Sequence, residues 1–298
     1  MANRRLPPAE IMHRALDRRA FAKGIAVSGV GVAASSLVGC GGSSAMAQSS
    51  STDTAQQIFT AALVAEDIAT VMYYNALVGP VIEDTNLAGP GGTATSNTGS
   101  QANVGYLRAA LTEEIAHANF LRTMLGASSS VTDPIQTFYF PTGTFDNLAN
   151  FFPVLISLEE TLIGTYITAV QEFGLMAANI APYSSSQVDS TGAAVTPATL
   201  ISYAKTVSSI LAVEASHRVL ARAIPPGPTF NGVQTFPADD LNYESTDGLT
   251  SVYNGSASTV GALQPFIVEG TNATPYTLGA ALDGAASVQL PATGMPPS

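Results

Sequence analysis

Four long stretches of this chain are nearly free of charge, and polar segments rich in Gly, Pro, Ser and Thr separate them. The first, about Thr52 to Val78, holds only Asp53, Glu66 and Asp67 as charges before Pro80. It is apolar on nearly all sides, the pattern of a helix buried on every face. Gly79 to Ser100 reads as a loop. The second helix, about Gln101 to Leu125, has a face running Leu107, Ala110, Leu111, Glu114, His117, Ala118 and Leu121, which turns Glu113 toward solvent. A connection from Gly126 to Asp146 contains FYFPTGTF, aromatic enough to pack across the helices. The third helix, about Leu148 to Phe173, is apolar but for Glu159 and Glu160 until Glu172 near its end. After a polar loop from Leu175 to Pro197, the fourth runs from about Ala198 to Ala223 and stops before Pro225-Pro226. The pattern predicts an all-α fold, a four-helix bundle over residues 52–225. Residues 226–298, rich in Pro, Gly, Ser, Thr and Asn, read as an irregular extension with short helices at Asp240–Tyr253 and Thr259–Ile267, losing order toward Ser298.

The few charges inside these helices are placed alike. Glu66 and Glu159 are each followed directly by a second acid and, seven residues on, by a tyrosine, Tyr73 and Tyr166. Seven residues is two helical turns, so each Tyr shares a face with its Glu. A carboxylate at Glu66, among Ala62, Leu63, Ala69 and Tyr73, must be paired, protonated or bound to metal, because burying it bare costs several kcal/mol. The alternative is a narrow solvent stripe formed by Glu66 and Asp67. Tyr73 and Tyr166 are candidate catalytic residues able to donate to a ligand carboxylate or a bound oxygen species; the alternative is core packing with a satisfied hydroxyl.

Helices two and four share a second motif. LTEEIAHANFLR and LAVEASHRVLAR each carry Glu-x-x-His with Arg five places later, matching Glu114, His117 and Arg122 with Glu214, His217 and Arg222. Residues three apart lie on one helical face, so each segment can aim a carboxylate and an imidazole at one spot, a metal-ligand arrangement. The chain has three His, and both outside the first forty residues sit in this motif. Helix with Glu, then helix with Glu-x-x-His, occurs twice, as in a duplicated helical hairpin. Four carboxylates and two His converging inside four helices is the ligand set of carboxylate-bridged di-iron and di-manganese proteins.

The N-terminus reads as an address. Arg18-Arg19-Ala20-Phe21-Ala22-Lys23 resembles a twin-arginine export signal, with Asp17 and Ala22 departing from its usual residues, and an apolar run from Gly24 to Val38 follows. Leu37-Val38-Gly39-Cys40 looks like a lipobox, in which Cys40 is the lipidation site and the chain is cut before it; an ordinary buried thiol is the alternative. Residues 1–39 would then be a signal peptide and 40–51 a lipidated Cys with a flexible tether, reaching on the order of 20 Å. Such a product is exported, periplasmic or at the cell surface, with membrane lipid as a partner through Cys40. Removing residues 1–39 takes six of eleven basic residues and leaves five against twenty acidic ones, a net charge of about −15. That charge excludes nucleic acid as a partner. The five, Arg108, Arg122, Lys205, Arg218 and Arg222, all lie on the Glu-x-x-His helices, where they offset surplus carboxylate charge or sit exposed. With one Cys, no intramolecular disulfide can form.

The segments ALVAEDIATVMYY, EEIAHANFLRTMLGA, LEETLIGTYITAV and SILAVEASHRVLARAI make the chain similar to the bacterial ferritin-like domain family, in the exported branch related to plant desiccation-related proteins. The likeness covers about residues 52–225. It implies a ferritin-like antiparallel four-helix bundle with a dinuclear site of Glu66, Glu114, His117, Glu159, Glu214 and His217. Glu66 and His117 would hold one metal, Glu159 and His217 the other, with Glu114 and Glu214 bridging. This oxygen-rich set suits Fe or Mn better than structural Zn. Three functions follow as expectations: an oxidoreductase using O₂ or peroxide, a non-catalytic stress or desiccation-related protein, and a module sequestering metal outside the cytoplasm. A homo-oligomer is left open, and nothing suggests the charged terminal helix of a cage-forming ferritin.

Overall fold

The computed structural model describes residues 53–85, 87, 101–127, 129–181, 183–224 and 255–289. The twin-arginine motif, Cys40, the tether, the helix expected at Asp240–Tyr253 and the end at Ser298 lie outside these residues.

The described chain is mostly helical. Its long helices are α1 (Ala55–Val78), α2 (Gln101–Met124), α3 (Leu148–Ala177) and α4 (Pro197–Ala223). Each start described by its cap has a side chain that satisfies an otherwise orphaned backbone N–H. Thr54 and Gln57 form a reciprocal capping box at α1, Asn147 caps α3, and Thr196 caps α4 ahead of Pro197. Helix α2 stops where Gly126 takes a left-handed φ of 72°, which lets the Ala127 N–H reach back to the Arg122 carbonyl at 2.8 Å. Helices α1 and α3 are long and apolar enough to cross a membrane, yet 83% and 67% of their most apolar windows are buried inside the protein.

Helix α1 packs on α2, α3 on α4, and α1 against α3. The core divides into two apolar clusters. One joins the first half of α1 (Ile58, Leu63), the end of α2 (Leu121), the end of α3 (Phe173) and the start of α4 (Leu200). The other joins the rest of α1 (Met72, Leu77), the start of α2 (Leu107), the start of α3 (Phe151, Leu155) and the end of α4 (Ala221). Helices α1 and α4 therefore run one way and α2 and α3 the other, so the α2–α3 connection must cross the length of the helices.

That crossing carries β1 (Thr137–Pro141), whose Phe138 and Phe140 are fully buried. The extension after α4 contains the helix expected at Thr259–Ile267 and, where it is described, more order around it than its composition suggested. It forms α5 (Gly255–Ile267), β4 (Ala273–Thr277) and α6 (Leu278–Ala285), with β4 antiparallel to β1 and Tyr139 opposite Pro275. The aromatic side chains of the crossing supply the reason: Phe140 packs on Phe266 and Tyr276, and Phe145 on Tyr276. Composition suggested a loose tail because each piece is short, but together they bury apolar area that none could cover alone. The α3–α4 connection also differs from a plain loop. Helix α3 continues to Ala177, and β2 (Gln187–Val188) pairs with β3 (Ala194–Val195). Gln187 Oε1 accepts from the Ala55 N–H at 3.1 Å, tying this hairpin to the start of α1.

Candidate metal centre

The acids and imidazoles fall between the two apolar clusters. Glu66, Glu114, Glu159 and Glu214 are fully buried, one from each long helix. They form two overlapping groups, Glu66–Glu114–His117–Glu214 and Glu114–Glu159–Glu214–His217, and in each the ligand atoms lie within 4.8 Å of one another. Glu114 and Glu214 belong to both. All six residues proposed from the sequence are thus brought to one place, arranged so that buried carboxylate and imidazole groups could hold a metal ion.

Both imidazoles turn Nδ1 to the carboxylates. His117 Nδ1 lies 3.3 Å from Glu66 Oε2 and 3.1 Å from Glu214 Oε1; His217 Nδ1 lies 3.0 Å from Glu114 Oε1 and 3.4 Å from Glu214 Oε2. The two oxygens of Glu214 therefore face different histidines. These approaches lack hydrogen-bond alignment. Glu66 Oε2, both oxygens of Glu114 and of Glu214, Glu159 Oε2 and both Nδ1 atoms are buried without a hydrogen-bond partner. Interiors leave only a few such atoms per hundred residues, and seldom so many side by side. Eight of them gathered at one point, mostly carboxylate oxygens with one imidazole per group, could hold a metal ion.

The other oxygen of each terminal carboxylate is held by a tyrosine. Tyr73 donates to Glu159 Oε1 at 2.5 Å, and Tyr166 donates to Glu66 Oε1. Each tyrosine therefore serves the glutamate of the other helix, whereas helical spacing alone pairs it with its own. Burial, then the charge of the neighbouring glutamate, raises both phenols well above their ordinary value, so they remain donors.

Crowding sets the protonation. Burial, reinforced by Glu214 and Glu66, lifts the Glu114 carboxyl well above the carboxylate range. Burial also takes Glu159 to about 8, against the pull of His217. In Glu214 the same burial is outweighed by His117 and His217, which hold it below the ordinary value. Burial opposes charge on the imidazoles, but the contacts of His117 with Glu214 and Glu66 prevail and raise it to about 10. His217 is raised well above the ordinary value against the same burial, by Glu113 and Glu114 first. A cation entering this set would have to displace protons from it.

Around this lies a layer of arginine. Arg122 Nη2 meets Asp67 Oδ1 at 2.5 Å while its Nε donates to Asp133 Oδ2 at 2.7 Å. Arg218 Nη1 meets Glu160 Oε2 at 2.5 Å. The acid after each terminal glutamate is thus neutralised inside the protein, and the solvent-stripe alternative for Glu66 and Asp67 is overturned by their burial. Burial, then the charge of Asp133, still keeps the Asp67 carboxyl well above its ordinary range.

Sequence reasoning missed three participants. Glu113, expected to face solvent only, accepts from His217 Nε2 at 2.8 Å. Tyr106 lies 2.9 Å from the Tyr73 hydroxyl and donates to the His217 carbonyl at 2.9 Å. Asp133 comes from the α2–α3 crossing. The doubled acid Glu113-Glu114 was a visible signal for the first; nothing in the spacing marks the other two. No family model, no curated protein and no solved structure matches this chain.

Proposed function

We propose that this chain is an exported ferritin-like four-helix protein whose interior holds a dinuclear Fe or Mn centre, and that it acts as an oxidoreductase toward O₂ or peroxide. The observation that carries the reading is the set of eight buried, unsatisfied nitrogen and oxygen atoms at the middle of the four helices. The helix directions support it, since two helices each way joined by one long crossing is the ferritin-like connectivity. Glu66, Glu114, His117 and Glu214 would hold one ion and Glu114, Glu159, Glu214 and His217 the other, with Glu114 and Glu214 common to both groups. A pair of such ions supplies redox chemistry on O₂ or peroxide. The chain's own residues supply the rest. Tyr73 and Tyr166 fix the terminal carboxylates through their outer oxygens and place a phenolic proton beside each. The two apolar clusters exclude bulk water above and below the site. The N-terminal motifs, which resemble an export signal and a lipobox, support a location outside the cytoplasm with Cys40 as the lipid anchor.

Metal analysis of the purified protein tests this. We expect about two Fe or Mn per chain and an absorption change on adding peroxide, both lost in a Glu114→Ala/Glu214→Ala double variant. Bound metal without turnover of peroxide or O₂ would leave a sequestering module. No metal under any loading condition, with the double variant as stable as the parent, would leave a structural protein.

A further inference from the structure

The two halves of the site are related by duplication, yet their histidines are held differently. His217 is held at its outer nitrogen by α2, where Glu113 accepts from Nε2 at 2.8 Å, while Nδ1 faces Glu114 Oε1 at 3.0 Å. The rings of Tyr73 and Tyr106 stand edge-on or tilted against its imidazole, with centroids 5.8 and 6.2 Å away. On the other half, Val213 occupies the place of Glu113 and Thr206 that of Tyr106. Neither can do the same for His117. The side chain of His117 is accordingly 15% exposed, against 3% for His217.

A histidine that ligates through one nitrogen is oriented, and made more basic, by what its other N–H donates to, and such partners are typically worth about 10–100-fold in metal affinity. Here the Glu113 bond holds a proton on Nε2 and leaves Nδ1 as the nitrogen that faces Glu114 and Glu214, free to ligate once its own proton is displaced. We infer that Glu113 is a positioning residue that makes the two metal positions unequal: a tight, retained one at Glu159–His217 and a weaker, exchanging one at Glu66–His117. This rests on the dinuclear reading above. Glu113 itself touches no ion. Its side chain, 48% exposed, stands at the surface end of His217, where it can be replaced without disturbing the core.

Anaerobic titration of the metal-free full chain with Mn(II), and separately with Fe(II), tests the inference. The parent protein should show two classes of site, one ion each, with dissociation constants at least tenfold apart. Glu113→Ala should weaken the tight class by about 10–100-fold and leave the other within about twofold, while Glu113→Gln, which keeps a neutral acceptor, should fall between. Both variants should keep the parent's helical content when metal-free, so that the change read is one of affinity. Val213→Glu gives the reciprocal test: a carboxylate beside His117 should tighten the weak class and draw the two together. Two ions bound with equal affinity, or a Glu113→Ala variant with both classes unchanged, overturns the inference and leaves the dinuclear reading standing. A parent protein that binds neither metal overturns both.

Discussion

A carboxylate that meets a metal through one oxygen can swing unless the other oxygen is held. In Glu66 and Glu159 a tyrosine from the opposing helix does the holding. Tyr166→Phe should therefore leave the ligand set intact but strand Glu66 Oε1 in the core. We expect a loss of about 1–3 kcal/mol in urea unfolding of the metal-free protein, with metal stoichiometry unchanged. A tyrosine acting only as core filler would lose far less, because Phe keeps the ring. The residue scale also shows what a sequence can and cannot display. Glu114 with His117, and Glu214 with His217, are three apart on one helix, so their common direction is a property of helical geometry alone. The crossing of Tyr73 to Glu159, and the reach of Glu113 to His217, depend on how two helices lie against each other. Local spacing contains no such information, and for the tyrosines it suggests the wrong partner.

At the scale of elements, the crossing between α2 and α3 is fastened by a strand from the far end of the chain. Phe140, fully buried in β1, contacts Phe145, Phe266 and Tyr276. Phe140→Ala should cost about 3–5 kcal/mol, read as a lower denaturation midpoint with an unchanged slope. The candidate metal ligands sit elsewhere, on α1 to α4, so metal stoichiometry under native conditions should persist. The long helices were legible because charges vanish between recognisable caps: α1 begins three residues after the expected start, and α4 within one of it. The β1–β4 ribbon was not. Ala273-Thr274-Pro275-Tyr276-Thr277 has a proline at its centre, which argues against a strand, and it pairs with a segment more than 130 residues away. Long-range pairing of a five-residue piece is decided by the surface it covers, and composition could only suggest a loose tail.

For the whole molecule, the site makes stability and pH antagonists when no metal is bound. Glu159 titrates near 8 when folded against an ordinary 4.5, and His117 near 10 against 6.5. Both folded values are raised, so the folded state binds more protons across these windows. Their stabilising contribution is complete below the unfolded values and is lost as pH rises, through about 8 for Glu159 and about 10 for His117. The metal-free protein should thus melt at progressively lower temperature from pH 5 to pH 10. Metal uptake must expel the same protons, so calorimetry in buffers of differing ionisation enthalpy should record proton release, and affinity should climb with pH between 6 and 8. The position of the acids between two apolar clusters carries one more consequence. The molecule has a waist of buried acids and imidazoles rather than of oil, held in the proposed state by an ion, with greasy ends that pack without it. Chelation should therefore loosen the middle first: amides around Ala116–Ala118 and Ser216–Arg218 should exchange with deuterium ahead of those near Leu107 and Leu200, as a buckle opens before the strap gives way.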